Sequence, residues 1–287
     1  MYVYMNGELV SKEKATVSAF DHGFLYGVGL FETFRIYNGH AFLLEDHLQR
    51  LNESLSDLWI EKKFSKKEVE RVLSLLLEIN GYDNAYIRLN VSAGNGEVGL
   101  QVAPYEEPNV MIFAKPLPFA QDVIFEKKAQ LLKTRRNTPE GHYRLKSHHF
   151  LNNIYAKREI GDVPDIEGIF LTANGELAEG VVSNIFWLKE GTLFTPSVQT
   201  GILNGVTRQF VMKLGVSLDL KVEEGFYYPE DLESAEEIFI TNSIQEIVGI
   251  KEWNGRHFPG KQGKVTQSLF QQYRQNCFYL SSKNELD

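Results

Sequence analysis

The sequence has few of the features that several large classes of protein require. Its 287 residues include one cysteine, Cys277, which excludes an internal disulfide or a cysteine-based metal cluster and favours a reducing compartment. No apolar run approaches the length of about 20 residues that crosses a bilayer. The opening MYVYMNGELVSKEK is too polar for the apolar core of a secretory signal. We therefore predict a cytoplasmic protein without a membrane segment.

Basic residues are also fewer than acidic residues. The chain has 30 lysines and arginines against 38 aspartates and glutamates, a net charge of −8, which does not suit a nucleic-acid partner. His148 and His149 are adjacent and have no histidine or carboxylate four residues on, so we expect no metal site. The G-x-S-x-G motif of hydrolase nucleophiles does not occur. Any anionic ligand must be bound by individual arginines.

The composition is that of a folded protein with room for two domains. Hydrophobic residues make up 43% and aromatic residues 12% of the chain. Pro116 and Pro118, followed by FAQD, mark a candidate linker at 118–122. We predict an α/β (α+β) protein with a smaller α/β domain at 1–117, a larger mixed α/β domain with antiparallel hairpins at 123–287, and a cleft between them.

In the first half, hydrophobic periodicity predicts a hairpin, two helices and two strands. The pair Asn6-Gly7 favours a type I′ turn. A helix is indicated by leucines spaced by four and three, at Leu44, Leu48, Leu51, Leu55 and Leu58. A second helix begins after Ser65, with Glu68 as capping-box partner and Gly81 beyond its last turn. The segments AYIRLNVSAG and PNVMIFAKPLP alternate like strands.

The second half predicts a mixed set of elements. HHFLNNIYAKRE is helical, and GIFLTANGELAEGVVSNIFWLKEGTLFTP contains three or four strands with turns at Asn174-Gly175 and Glu190-Gly191. A helix near TRQFVMKLG, a buried strand at EEIFITN and a terminal helix near KVTQSLFQQYRQN follow, and we place Cys277 in that last helix. We interpret GNGEVG, from Gly94, as a loop, because no helix follows it to receive a dinucleotide phosphate.

Four segments of the sequence could carry chemistry, although each alone also has an ordinary interpretation. The segment TGILNGVTRQF brings Val206 and Thr207 to the start of a helix, which suits either a phosphate or a simple threonine cap. Arg50, three residues after His47, could bind the same phosphate or lie in solvent. Lys146 precedes an apolar stretch, and a partly desolvated lysine is nucleophilic. Glu179 precedes an apolar strand, and a buried carboxylate needs a cationic partner.

Taken together these segments resemble the fold-type IV pyridoxal phosphate enzymes, the class IV aminotransferase family. The resemblance rests on Arg50, KSHHFLNN from Lys146, EGVVSNIF from Glu179 and GILNGVTR from Gly201, and it covers nearly the whole chain. It implies that Lys146 is the catalytic residue and holds pyridoxal 5′-phosphate as a Schiff base. It further implies that Glu179 pairs with the pyridine nitrogen and that the phosphate is bound by Arg50, Val206 and Thr207.

Within this family the sequence departs from both groups of aminotransferases. It has Phe31 and Ala93 where D-amino acid aminotransferases have a tyrosine and a carboxylate-binding arginine, and Leu151 and Asn204 where branched-chain enzymes have a tyrosine and a proline. In contrast, SAFDHGFLYG, RNTPEGHYRLKSHH and NGVTRQF are similar to aminodeoxychorismate lyases of the Bacillus type. That likeness implies conversion of 4-amino-4-deoxychorismate to 4-aminobenzoate and pyruvate, in folate biosynthesis.

The same resemblance implies further site residues and a partner. For an anionic small-molecule substrate we expect contacts with Arg88, Tyr86, Phe31, Ile244 and Arg144. Asn242 and Ser243, in the turn TNSI, are expected at the cofactor. A homodimer is implied as well. Two alternatives stay open: a D-amino acid or branched-chain aminotransferase, and a non-catalytic binding protein on the same fold.

Overall fold

The computed structural model describes residues 1–119 and 122–286, and its contacts divide the chain into two compact units. The first comprises 1–120, 145–149 and 277–287, and the second 121–144 and 150–276. Residues 120 and 121, in the predicted linker 118–122, lie outside the described residues. The predicted domains 1–117 and 123–287 are continuous in sequence, whereas the contacts assign two short later segments to the first unit. The continuous division therefore stays a prediction.

The first unit is an antiparallel sheet with helices packed on it. Its elements are β1 (Tyr2–Met5), β2 (Glu8–Ser11), α1 (His22–Leu25), β3 (Gly29–Tyr37), β4 (His40–Ala41), α2 (Leu44–Asp57), α3 (Lys66–Asn80), β5 (Ala85–Ser92) and β6 (Asn109–Pro116). The strand order is β2-β1-β6-β5-β3-β4. Leucines of α2 and α3 join residues of β3, β5 and β6 in one core, which confirms both predicted helices.

Local turn and cap chemistry explains several of these boundaries. Asn6 and Gly7 both have positive φ, 47° and 103°, as the predicted type I′ turn requires. The Ser65 side chain accepts the backbone N–H of Glu68 at 3.3 Å, and α3 ends at Gly81 with φ 68°. The Glu68 carboxylate pairs with Lys62 at 3.1 Å instead of accepting the backbone N–H of Ser65. The predicted capping box is therefore half formed.

The nine-residue strand β3 was not predicted from the sequence. It pairs along β5 from Gly29 opposite Ser92 to Ile36 opposite Ala85. Most of its residues are buried, so it lacks the alternation of polar and apolar residues that marks a strand with one solvated face. At Gly29 a side chain would collide with the His148 ring, so glycine permits the close approach of the segment 145–149.

The second unit is built on a mixed sheet. Its elements are β7 (Phe125–Leu131), α4 (Leu151–Ile160), β8 (Ile166–Leu171), β9 (Leu177–Gly180), β10 (Asn184–Lys189), β11 (Thr192–Pro196), α5 (Val206–Ser217), β12 (Lys221–Gly225), α6 (Pro229–Glu233), β13 (Glu237–Asn242), β14 (Glu246–Trp253), β15 (Arg256–His257) and α7 (Lys264–Asn276). The order is β12-β11-β10-β13-β14-β7-β8-β9, with β15 beside β14. Pairs β11–β12, β14–β7 and β7–β8 are parallel and the others antiparallel.

The expected mixed α/β class and hairpin-rich second half are confirmed, with two local corrections. The helix predicted from His148 begins at Leu151, so both histidines precede it. Helix α7 ends at Asn276, so Cys277 follows that helix and is buried. The glycine-rich segment from Gly94 opens no helix, as predicted. Among the described residues no helix has both the length and the apolar character needed to cross a membrane.

Candidate active site

Lys146 is attached to β3 through its main chain. The Phe31 N–H donates to the Lys146 carbonyl at 2.9 Å, and the His148 N–H donates to the Gly29 carbonyl at 3.0 Å. Ser147 forms an antiparallel bridge with Leu30 between these two bonds. The backbone that carries the lysine is therefore fixed like a strand, and its amine is the movable part.

Two cationic side chains meet at the Phe31 ring. The Lys146 Nζ lies 4.7 Å from the ring centre, and the Arg88 guanidinium carbon lies 3.7 Å from it. Contacts of a cation with an aromatic face are favourable. Burial lowers the pKa of Arg88, and a hydrogen bond with Tyr86 opposes that shift. Phe31 and Arg88, two residues predicted at the substrate, are thus brought together beside Lys146, and a third, Tyr86, contacts Arg88.

The buried carboxylate of Glu32, on β3, forms an ion pair with Arg50, the predicted phosphate-binding arginine. Glu32 accepts from Nε and Nη2 of Arg50, both at 2.7 Å, and from Nδ1 of His47 at 2.7 Å. Burial alone would raise the pKa of Glu32, but Arg50 and His47 outweigh it and hold the value at about 2. Burial lowers the pKa of His47 despite that carboxylate. The sequence contained no periodic signal for Glu32 because it lies in the unpredicted strand.

In the second unit Glu179 already has a cationic partner. Its Oε1 accepts from Arg136 Nε at 2.8 Å, and its Oε2 accepts from the Leu203 N–H at 3.1 Å. Asn184 Nδ2 is 3.5 Å from the same Oε2. Glu179 and Arg136 are both buried. Sequence reasoning missed Arg136 as a partner, since only its place in RNTPEGHYRLK marked it.

Arg144 lies against the same carboxylate and a nearby loop. Its Nε donates to the Gly201 carbonyl and is 3.8 Å from Glu179 Oε1. Its Nη groups donate to the side chain and carbonyl of Asn137. Burial and Arg136 lower the pKa of Arg144 to about 10, with Glu179 opposing. These contacts hold the Gly201 loop, and its role at a substrate stays a prediction.

The start of α5 presents backbone and hydroxyl donors. Gly205 is the N-cap residue and provides no side-chain acceptor, so the N–H groups of Val206 and Thr207 are not capped by it. The Thr207 hydroxyl is 3.1 Å from that of Ser243. Because the N-cap is Gly205, Thr207 is the second residue of α5 and not its cap. A side chain at Gly205 would collide with Asn184 Oδ1.

The turn after β13 contains the remaining predicted residues. The Asn242 side chain accepts the N–H groups of Ile244 at 3.0 Å and Gln245 at 2.7 Å, so this residue shapes the turn. Just before it, Thr241 is buried, and its hydroxyl has no hydrogen-bond partner among the described residues. Thr241 was not selected from the sequence. A buried hydroxyl without a partner is costly unless a ligand or water completes it.

Comparison with known proteins shows the family of the chain. The family described as Amino-transferase class IV matches residues 29–253. The aminodeoxychorismate lyase of Bacillus subtilis (strain 168) is 45% identical over 269 residues, which are 93% of this chain and 92% of that protein. A putative branched-chain-amino-acid aminotransferase of Methanocaldococcus jannaschii is 36% identical over 278 residues, 96% of each. The structure of the Escherichia coli branched-chain amino acid aminotransferase aligns with a TM-score of 0.87 at 27% identity, over 99% of this chain and 97% of that one.

Proposed function

This chain belongs to the class IV aminotransferase family, and we propose that it is a pyridoxal phosphate-dependent lyase that converts 4-amino-4-deoxychorismate to 4-aminobenzoate and pyruvate. The observation that carries the choice of reaction is the 45% identity with the Bacillus subtilis aminodeoxychorismate lyase over 93% of the chain. The unpaired cationic group of Arg88 beside Lys146 suits the carboxylates of that substrate.

The donors at the start of α5 fit the phosphate of this coenzyme. A dianion needs N–H and O–H donors, and the positive end of a helix dipole favours it. The uncapped N–H groups of Val206 and Thr207, the hydroxyls of Thr207 and Ser243, and the unsatisfied hydroxyl of Thr241 supply them. We assign phosphate binding to these groups. The resemblance to the family adds Arg50, whose guanidinium is held by Glu32.

We assign the pyridine nitrogen to Glu179. Its carboxylate is buried, and the ion pair with Arg136 and the N–H of Leu203 fix its orientation. A carboxylate held in this way can accept a hydrogen bond from a protonated ring nitrogen. Asn242, expected at the cofactor, accepts the N–H of Ile244 and shapes the turn that presents Ser243. Ile244 stays the expected substrate contact of this turn.

Lys146 performs the proton transfers in this proposal. When bound, the coenzyme supplies an aldehyde that condenses with amines and a ring that accepts the electron pair of a broken C–H bond. The Lys146 amine, on its fixed backbone, removes the proton at C4 of the substrate. Arg88 holds a carboxylate. The bond between C3 and the ether oxygen breaks, the departing enolpyruvate takes up a proton on its methylene carbon to become pyruvate, and the ring that remains is aromatic.

Product analysis tests this function. The purified holoenzyme, mixed with 4-amino-4-deoxychorismate, should release 4-aminobenzoate and pyruvate in equal amounts. Borohydride reduction followed by peptide mapping should attach the coenzyme to Lys146, and Lys146→Ala should abolish turnover. Glutamate formation from amino acids and 2-oxoglutarate without any pyruvate would select the aminotransferase alternative, which the relative from Methanocaldococcus jannaschii keeps open. A preparation that binds no coenzyme would support a binding protein instead.

We also propose that two copies of the chain associate through exposed apolar residues of the first unit. Phe24, Val98, Leu100 and Val102 are 70–90% exposed. Helix α1, which carries Phe24, is joined to the loop that carries the other three, since His22 Nε2 contacts the Glu97 carbonyl at 2.9 Å. Large apolar patches mark interaction sites. Light scattering should give the mass of a dimer, and Leu100→Asp should give that of a monomer. An unchanged mass would contradict this interface.

A cytoplasmic location is part of the proposal. Cys277 is a buried free thiol, and a reducing compartment preserves such a group. Cell fractionation with an antibody to the chain tests the location. Recovery in an oxidising compartment would contradict it.

A further inference from the structure

Arg88 differs in its partner from four other arginines that are largely removed from solvent. Those others pair with carboxylates: Arg50 with Glu32, Arg136 with Glu179, Arg208 with Glu224 and Arg274 with Glu246. Arg88 is half-buried, and in the part of the chain that the structure describes it contacts no carboxylate. A partly desolvated cation without an anion is unfavourable unless a ligand completes the pair.

The group that holds Arg88 is a neutral amide. Asn90, two residues along β5 and on the same face, accepts from Arg88 Nε at 3.4 Å and from Nη2 at 3.3 Å. The same Asn90 oxygen lies 3.1 Å from His148 Nε2. Because an amide oxygen only accepts, the His148 nitrogen donates this bond. Arg88 is thereby fixed on one edge.

Tyr86 also forms a hydrogen bond with Arg88, and the N–H groups that neither Asn90 nor Tyr86 uses are available to a ligand. A guanidinium has five N–H groups in a planar fork, and two edges can each meet a planar acceptor. Asn90 uses the edge formed by Nε and Nη2. The Phe31 ring covers one face of the group at 3.7 Å. What is left is an edge suited to a carboxylate.

We propose that Asn90 and His148 are positioning residues that hold Arg88 as an un-neutralised cation for a substrate carboxylate. This inference rests on the proposed function only in taking a carboxylate as part of the substrate. An aspartate at position 90 would make the same contacts but would neutralise Arg88. Burial and Arg88 lower the pKa of His148 to about 4, so at neutral pH His148 donates a hydrogen bond without adding a second positive charge.

His148 and Phe31 connect the position of Arg88 with that of the Lys146 amine. His148 is two residues after Lys146, and its N–H is bonded to the Gly29 carbonyl on β3. Arg88 and Lys146 both lie against Phe31. The carboxylate site and the amine therefore share one rigid frame, which sets the distance between the bound carboxylate and the reacting carbon.

The substitution Asn90→Asp tests the charge while keeping the shape. With the holoenzyme we expect KM for 4-amino-4-deoxychorismate to rise at least about tenfold, with kcat changed less than about threefold, because the lost contact is made in the ground state as well. The visible absorbance of the bound coenzyme should be unchanged. Asn254→Asp, in an exposed turn, adds the same charge elsewhere and is the matched control.

A pair of variants at position 148 tests the donor. His148→Gln can keep an N–H for Asn90 and should retain the wild-type KM within about threefold. His148→Leu removes the donor and should raise KM more than the glutamine variant does. Equal KM values for wild type, glutamine and leucine variants would overturn the role of His148. This pair also decides the proposal if Asn90→Asp does not fold.

Binding of two matched probes separates this inference from the proposed function. 4-Aminobenzoate and aniline differ by one carboxylate, and calorimetry of the holoenzyme can measure both. Asn90→Asp should weaken 4-aminobenzoate at least about tenfold and leave aniline unchanged. In an active lyase, unchanged 4-aminobenzoate binding together with an unchanged KM for 4-amino-4-deoxychorismate in Asn90→Asp would overturn the inference alone. Loss of that binding in a chain without lyase activity would overturn the proposed function alone.

Discussion

The Nε of Arg136 lies 2.8 Å from Oε1 of Glu179, and both side chains are buried. The carboxylate assigned to the coenzyme ring is therefore balanced by a cation of the chain itself. Arg136 also donates to Asn152 at 2.7 Å, on α4. The pair joins the segment before Lys146 to the strand β9 that carries Glu179.

Removal of Arg136 should destabilise the fold strongly. Arg136→Met leaves Glu179 as a buried charge with too few partners, and we expect the free energy of unfolding to fall by about 3–5 kcal/mol. Urea denaturation at pH 7 measures this change. The double variant Arg136→Met, Glu179→Gln should recover part of the loss, because the buried charge is gone as well. Additive losses in the double variant would show that the two residues act independently.

Glu32 should make stability depend on acid pH. Its pKa is held at about 2 in the fold against 4.5 ordinarily, so the unfolded chain binds a proton more readily between these values. The contribution of Glu32 is complete above pH 4.5 and is lost as the pH falls towards 2. Glu32→Gln should weaken this acid dependence in urea denaturation and weaken coenzyme binding, since Arg50 is no longer held. Glu61→Gln, at an exposed carboxylate, should change neither.

His148 should contribute a second dependence at higher pH. Its pKa is lowered to about 4 from 6.5, so the unfolded chain takes up a proton first and stability falls as the pH is lowered through this range. From pH 7 to pH 5 we expect a loss of about 2 kcal/mol from this group. His148→Gln should remove that portion of the loss in urea denaturation. If the variant and wild type lose equal stability, His148 is not neutral in the fold. His257→Gln, at an exposed histidine, is the control.

A side chain at position 205 should impair the phosphate site. Gly205 has φ −61°, which any residue adopts, so the glycine is needed for space and not for its backbone angle. In Gly205→Ala the new carbon meets Asn184 Oδ1, and α5 or Asn184 must move. We expect coenzyme affinity to fall at least about tenfold in absorbance titrations. Gly141→Ala, which meets no atom within 4 Å, should bind as wild type does.

Hydrophobic periodicity predicted the elements that bury one face and expose the other. The leucines of α2, the caps of α3 and the turn at Asn6-Gly7 each leave a local pattern, and all three are confirmed. Strand β3 was missed because burial on both faces removes alternation. A helix was extended over His148 because polar residues near a helix start carry little periodic information.

The candidate site was predictable in part, through single motifs. Lys146, Arg50, Glu179 and Thr207 stand in segments whose resemblance to the family marks them. Their partners were not marked, because pairs such as Glu32 with Arg50 and Arg136 with Glu179 are far apart in sequence. Such pairings follow from strand register and from the packing of α2, which a single sequence does not contain.

The main-chain attachment of Lys146 to β3 has a practical consequence. Its two flanking hydrogen bonds use backbone atoms only, so replacing the lysine side chain leaves the scaffold around it intact. Lys146→Ala should therefore be obtainable as a folded receptor with an empty space where the amine had been. A small soluble amine such as methylamine should enter that space and restore part of the turnover, and the amine size at which this rescue fails reports the room that the lysine side chain had filled.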